Sequence, residues 1–362
     1  MLTLTTTACH DNIYALIQQE VPQQTGLPGD ILTIVPFKGY LYTANSKIYR
    51  KPLEESSAGK YNYQWSKVNA KCGEDSLVHI AALAADDNYL YCWTLKTEKD
   101  VDNSVNLAVY KYLYSSSDGE NWTLIDISGI TTYTDGDGNA YSEYPVILFD
   151  NKKGNGVIAS STSGRNAYVR IRGNQDEESG ESNPDAVYRV YRLNGNSVPT
   201  VESSAESKTA AIYSSSGDRF YDSYAVTRNE NCIYYASGTS IKYDNNGTDR
   251  EIPLSSGTIR SIAATKDHLL IGTSSGIYRL HINETTGEPA ASLSDFNNNA
   301  QTLLTSVTQC VYVLDASKNE SETDEYAAMV IYGSLSSSPD SFDEIGLYAY
   351  YPGRGNWNRD GE

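Results

Sequence analysis

A short pattern recurs along this chain and limits its fold more than any other feature. A polar residue or glycine precedes three apolar or aromatic residues; a small or polar segment follows, then a second short run rich in tyrosine. The pattern reads GYLYTANSKIYRK from Gly39, NYLYCWTLK from Asn88, NCIYYASGTSIKY from Asn231, HLLIGTSSGIYRL from His268 and QCVYVLDAS from Gln309, with a weaker copy, GVIASSTSG, from Gly156. Each strong copy follows another apolar run: ILTIVPF, VHIAALAA, YAVT, IRSIAAT and LLTSV. Short alternating runs divided by turn residues are strands. The unit is therefore strand, turn, strand, turn, strand, with a fourth strand often visible. Thirty tyrosines against five phenylalanines suit it, because a tyrosine ring packs in a half-buried strand while its hydroxyl stays wet.

From 39 to 88, 231 to 268 and 268 to 309, successive units start 49, 37 and 41 residues apart. That is the spacing of four-stranded propeller blades. The repeat predicts an all-β chain folded as a single β-propeller with six blades, seven being the alternative. The expected blades cover 31–68, 77–126, 144–222, 223–254, 258–296 and 303–360, and residues 1–30 form an N-terminal tether or closing segment. The long gaps from 88 to 156 and from 156 to 231 hold Gly- and charge-rich insertions more easily than a seventh blade. A sandwich needs no such repeat, and helical periodicity is nearly absent. Only DNIYALIQQE at 11–20 places Ile13, Leu16 and Ile17 at helical spacing, and it could equally supply an outer strand that closes the ring. At 362 residues the chain exceeds the usual single-domain size, as a repeat array can.

The stretch YLYSSSDGENWTLID, 112–126, reads as a built corner. Ser116 and Asp118 are placed to cap backbone N–H groups of a turn between two outer strands. Gly119 supplies a positive φ, and Trp122 plugs the space between neighbouring blades. Decayed copies occur at 212–220 (IYSSSGDRF), at 350–358 (YYPGRGNWN) and around Trp65. A device repeated in decay is structural, not catalytic. With Ser116, Asp118, Gly119 and Trp122 in place, SSDGENW resembles the Asp-box of sialidase-like propellers. The resemblance implies that fold superfamily and no more. The Phe/Tyr-Arg-Ile-Pro signature of a sialidase is absent from the start of the chain, and the nearest text, VRIRG at 169–173, lies mid-chain without the proline.

The chain carries 28 basic and 46 acidic residues, a net charge of −18. That field repels DNA, RNA and anionic lipid, so no nucleic-acid partner is expected. Unbroken apolar runs such as VILF at 146–149 are too short to span a membrane. The start, MLTLTTTACHD, places small residues directly before Cys9, like the end of a bacterial lipoprotein signal without its charged and apolar regions. Cys9 is then a candidate lipidation residue, or an incidental cysteine in a frayed terminus. Taken together, a tyrosine-rich propeller behind such a start is similar to cell-surface lipoproteins of host-associated bacteria such as spirochaetes. Cys72, Cys92, Cys232 and Cys310 make no CxxC pair; the last three lie in strand runs and are expected free and buried.

Candidate chemistry is sparse. AYVRIRG and AVYRVYRL read as an insertion hairpin of the third blade, joined by the acidic loop NQDEESGESNPD. Arg170, Arg172, Arg189 and Arg192 could fork around carboxylates or sulfated sugars, or pair with the acids of their own loop. TDGDGNAYSE sets Asp135, Asp137 and Asn139 at alternate positions, like the first half of a calcium loop, but its Gly138 comes early and Val146 stands where the bidentate Glu belongs. An Asp-Gly hairpin explains it as well. Calcium is the one metal the text offers, and no other cofactor is expected. His10, His79, His268 and His281 are scattered, with no triad or metal-ligand spacing.

The reading that results is a non-catalytic binding or adhesion propeller, exported to the bacterial envelope, monomeric, and recognising a protein or glycan. The alternative is a glycan-acting hydrolase or lyase, which would need carboxylates or arginines from several inner strands at one channel mouth. The runs ILTIVPF, IRSIAAT and LLTSV carry few. An intracellular WD-type scaffold lacks its Trp-Asp and Gly-His signatures and ranks last.

Overall fold

The computed structural model describes residues 27, 31, 33–52, 65–99, 107–130, 132–134, 140–142, 144–150, 152–153, 156–157, 165–172, 189–202, 224–226, 232–237, 239–245, 248–254, 257–265, 267–296, 307–315, 329–337, 346–351 and 356–360. They form six four-stranded antiparallel sheets, each a meander of strands in chain order. The first contains Ile34–Phe37, Tyr40–Asn45, Lys47–Pro52 and Ser66–Lys67; the second Ile80–Ala85, Leu90–Lys99, Leu107–Ser116 and Thr123–Leu124. The third contains Tyr144–Asp150, Ala167–Arg172, Arg189–Arg192 and Thr200–Val201; the fourth Tyr224–Val226, Cys232–Ser237, Ser240–Asn245 and Thr248–Pro253. The fifth contains Ile259–Ala264, His268–Thr273, Gly276–His281 and Ser294–Asp295; the sixth Val307–Asp315, Met329–Ser337, Gly346–Tyr351 and Asn356–Arg359. Three two-stranded hairpins lie in the connections.

Neighbouring residues of a strand point to opposite faces, so each sheet is apolar on both sides and must be covered on both. Val35, Tyr42 and Ile48 of the first sheet pack against Leu83, Cys92 and Trp122 of the second. Ala82, Ala84 and Leu113 of the second then meet Leu148, Val169 and Ile171 of the third. Ile241 of the fourth meets Ile262 and Ile271 of the fifth; Leu270 and Ile277 of the fifth meet Val311 and Trp357 of the sixth. Cys310 and Leu347 of the sixth close on Ile34, Leu41 and Trp65 of the first. Each buried aliphatic or aromatic side chain in these joins is worth roughly 1.5–3 kcal/mol. First strands touch one another at the first–second, second–third, fourth–fifth and fifth–sixth joins. Sheets stacked in chain order at these five joins, with the last against the first and first strands meeting one another, make a β-propeller.

Closure of the ring is by side chains among the described residues. The first and sixth sheets are each built from consecutive strands. Between them Lys51 Nζ donates to Asp360 Oδ1 at 2.8 Å, Trp65 Nε1 donates to Asp360 Oδ2, and the Ile31 amide donates to Ser334 Oγ at 3.2 Å. The segment 11–20, offered above as a helix or closing strand, lies outside the described residues, as does Cys9.

Two expectations need correcting. The weak copy at Gly156 is not a blade strand: Gly156–Val157 pairs with Lys152–Lys153 in a two-stranded hairpin, too short to cross a sheet. The arginine-bearing runs are not an insertion but the second and third strands of the third sheet; the repeat there is stretched by its connections. Cys92, Cys232 and Cys310 are buried and Cys72 half-buried, and none of the four is in a disulfide.

Candidate functional site

The corner at 116–122 is closed by its own hydrogen bonds. Ser116 Oγ accepts from the Gly119 amide at 2.8 Å and donates to Asp118 Oδ1 at 3.0 Å. Asp118 Oδ1 accepts from the amides of Glu120 and Asn121, each at 2.8 Å, and Oδ2 from Asn121 Nδ2 at 2.8 Å. Partial burial works against ionisation of Asp118, but the Asn121, Glu120 and Ser116 hydrogen bonds outweigh it and hold the carboxyl at about 2. Gly119 has φ +82°, and a Cβ there would lie 2.6 Å from Tyr42 Oη. Trp122 is 3% exposed, its Nε1 donating to the Gly119 carbonyl at 3.0 Å. The corner is also sewn to the first sheet, by Lys38 Nζ to the Ser117 carbonyl at 2.7 Å and by Arg50 to Glu120 at 2.9 Å. The Ser116 hydroxyl, the Asp118 carboxylate and the Trp122 indole N–H are thus engaged within the turn itself.

A cavity of about 890 Å³ opens beside it, between the first and second sheets. Thr94, Tyr112, Tyr114 and Leu124 form one wall from consecutive strands of the second sheet; the register pairs Thr94 with Tyr112 and Leu124 with Tyr114. Facing them are Cys72, Asp75 and residues 76–79 from the connection between the sheets. That connection is pinned: the Lys71 amide donates to the Glu120 carbonyl at 2.8 Å, the Trp122 amide to the Lys71 carbonyl at 2.7 Å, and the Leu95 amide to the His79 carbonyl at 3.0 Å. Burial raises the Tyr114 hydroxyl above its ordinary value, with Cys72 nearby adding to the rise. Both Val78 and Leu124 are 48% exposed. The groove thus offers apolar walls, neutral hydroxyl donors, one carboxylate, one thiol and one imidazole. Such a lining suits an uncharged amphipathic ligand. Cys72, Asp75 and His79 are near one another in sequence, but nothing in their spacing reveals that they face Thr94, Tyr112 and Tyr114.

Of the sequence-selected arginines, the two whose side chains are described, Arg170 and Arg192, differ in exposure. Arg170 pairs in register with Val190 and Arg192 with Tyr168, while Arg189 pairs with Ile171, one position out of step. Val169 and Ile171 pack toward the second sheet, so Arg170 faces away from it and is 1% exposed. A ligand in solution does not reach that guanidinium. Arg192 is exposed and donates to Asn166 Oδ1 at 2.5 Å. The side chains of Arg172 and Arg189 lie outside the described set, as do Asp135, Asp137 and Asn139. Among the described residues no group of three or more His, Cys, Asp or Glu is arranged for a metal ion.

One charged group near the axis was not foreseen. Asp150, at the end of the third sheet's first strand, accepts from Arg165 at 2.5 Å and from the Ala85 amide at 3.3 Å. Arg165 also donates to the Pro36 carbonyl. First strands of three sheets are thereby tied at one end of the ring. Only the position of Arg165 in space, not its neighbours in sequence, reveals it.

No protein-family model and no curated protein sequence matches the chain. Solved structures do share its outline. The PQQ-bound aldose sugar dehydrogenase of Streptomyces coelicolor aligns at 9% identity and TM-score 0.42, covering 90% of this chain and 95% of that one. Regucalcin, a calcium-binding protein of Agrobacterium tumefaciens, aligns at 10% and 0.41, covering 90% of each. The β-fructofuranosidase of Bombyx mori aligns at 10% and 0.34, covering 90% of this chain and 60% of that one. No site residue is transferred from them.

Proposed function

We propose that the chain is a non-catalytic binding propeller of six blades, displayed on a bacterial cell surface, which recognises a glycan in the groove between its first and second sheets. The groove carries this reading. Its volume of about 890 Å³ falls among small-ligand sites, roughly 300–1,000 Å³. Tyr112 and Tyr114 offer rings for stacking and hydroxyls for hydrogen bonds. A net charge of −18 favours a neutral sugar over an anionic one. The six four-stranded sheets support the blade count, and the turn at 116–122 supports its assignment as an Asp-box. Export and a lipid at Cys9 rest on the small residues that precede it.

A glycan array probed with the full chain, with breakdown products assayed on the same samples, tests the proposal. Binding without products, weakened about tenfold or more by Tyr112→Ala with Tyr114→Ala, is the expected result. Released sugar overturns the non-catalytic reading. An empty array, or binding that the double variant leaves untouched, takes glycan recognition away from the groove. Calcium is tested separately by calorimetry: no heat and no melting shift would dismiss Asp135, Asp137 and Asn139 as ligands.

A further inference from the structure

The fifth sheet brings together two histidines that are 13 positions apart in the chain. His268 opens its second strand and His281 ends its third, and the hairpin register sets them directly opposite. Their rings lie 5.2 Å apart between centroids at an interplanar angle of 83°. His268 Nδ1 is 2.8 Å from Asp267 Oδ1. With the ring proton on Nδ1 in that contact, Nε2 keeps its lone pair. Asp267 and His268 are in turn fixed by Thr265, whose Oγ1 accepts from the His268 amide at 2.9 Å and donates to Asp267 Oδ1 at 3.1 Å. Asp267 is further anchored where its carbonyl accepts from the Ile282 amide at 2.8 Å, next to His281.

We infer that His268 and His281 form a binding site for a borderline divalent cation of the Zn²⁺, Ni²⁺ or Cu²⁺ class, with Asp267 orienting His268. Imidazole is the preferred ligand of these ions, and a ligating histidine commonly donates its other N–H to a carboxylate. The ring separation fits. With Zn–N of about 2.0–2.1 Å and a ring nitrogen about 1.1 Å from its ring centre, two imidazoles on a tetrahedral ion stand about 5.2 Å apart between centroids. His268 is partly and His281 largely exposed, so the ion enters without opening the fold. Two protein ligands leave the other positions to water, making this an exchangeable site rather than a structural one.

Titration of the full chain with Zn²⁺ alone by calorimetry, and with Cu²⁺ by electron paramagnetic resonance, tests the inference. Wild type should bind one equivalent that is lost in His268→Ala and in His281→Ala, with nitrogen hyperfine structure from two imidazoles in the Cu²⁺ spectrum. Asp267→Asn should weaken that equivalent by about 10–100-fold. Circular dichroism should show both alanine variants folded, as expected for side chains at a sheet margin. No bound Zn²⁺ in wild type, or an equivalent count unchanged in His281→Ala, overturns the site. Retention in the variants would place the ion on other residues, such as Cys9 and His10.

Discussion

Asp118 shows how one side chain holds a corner. It stays ionised because it accepts hydrogen bonds from Glu120 and Asn121, and its carboxyl is held at about 2 against about 3.9 in an unfolded chain. A lowered value means that the stabilisation is complete above about pH 4 and is lost as the pH falls toward about 2. Asp118→Ala should cost about 1–2 kcal/mol at neutral pH and flatten the stability profile between those limits, as followed by urea denaturation at stepped pH. Gly119→Ala acts through space and backbone together: φ is +82° and the new methyl would meet the Tyr42 hydroxyl at 2.6 Å. A loss of about 1–3 kcal/mol is expected. Both effects were legible in the text SSDGENW, because a turn of this kind is written in four neighbouring residues. The Tyr42 contact was not, since it comes from another sheet.

At the scale of the strand pair, legibility depended on whether partners are local. The copy from His268 is a hairpin whose two strands close on Ser274 and Ser275, and counting outward from that turn reaches His268 and His281 together. Hairpin register was therefore a usable signal for the histidine pair, which spacing along the chain disguised as scatter. The arginines failed in the opposite way. Alternation gave the faces of the strand, but which face meets another sheet is decided by the neighbour, and Arg170 fell on a covered one. The groove was illegible for a related reason: one wall is the second sheet and the other is the connection that leads into it, and the facing of the two is set in space. Gly272 carries a prediction at this scale. A Cβ there would lie 2.9 Å from Val311 Cγ2 and 3.1 Å from the Thr308 carbonyl oxygen, so Gly272→Ala should wedge the fifth and sixth sheets apart. A loss of about 1–3 kcal/mol is expected, read as a lower melting temperature at unchanged β-sheet signal.

At the scale of the whole molecule, the sixth-to-first join is held, among the described residues, by side-chain contacts and not by a strand shared between the sheets. Five of the joins are flanked by connecting chain, so their sheets stay near one another even when the packing loosens. The closing join depends on apolar packing around Ile34, Trp65 and Leu347 and on Asp360, which receives Lys51 and Trp65 together. Lys51 and Asp360 are 4% and 3% exposed, so water cannot replace either partner. Asp360→Ala leaves a buried ammonium and a buried indole N–H without this acceptor. The expected cost is about 3–5 kcal/mol, far more than an exposed ion pair would give. Lys51→Met with Asp360→Leu removes both charges and should recover part of that loss, the Trp65 N–H still lacking its acceptor. Urea denaturation followed by Trp fluorescence separates the cases: Asp360→Ala should lower the midpoint, with the paired substitution lying between it and wild type. If Asp360→Ala costs under about 1 kcal/mol, the ring is held by apolar packing and the Ile31–Ser334 hydrogen bond, and the buried pair is incidental to closure.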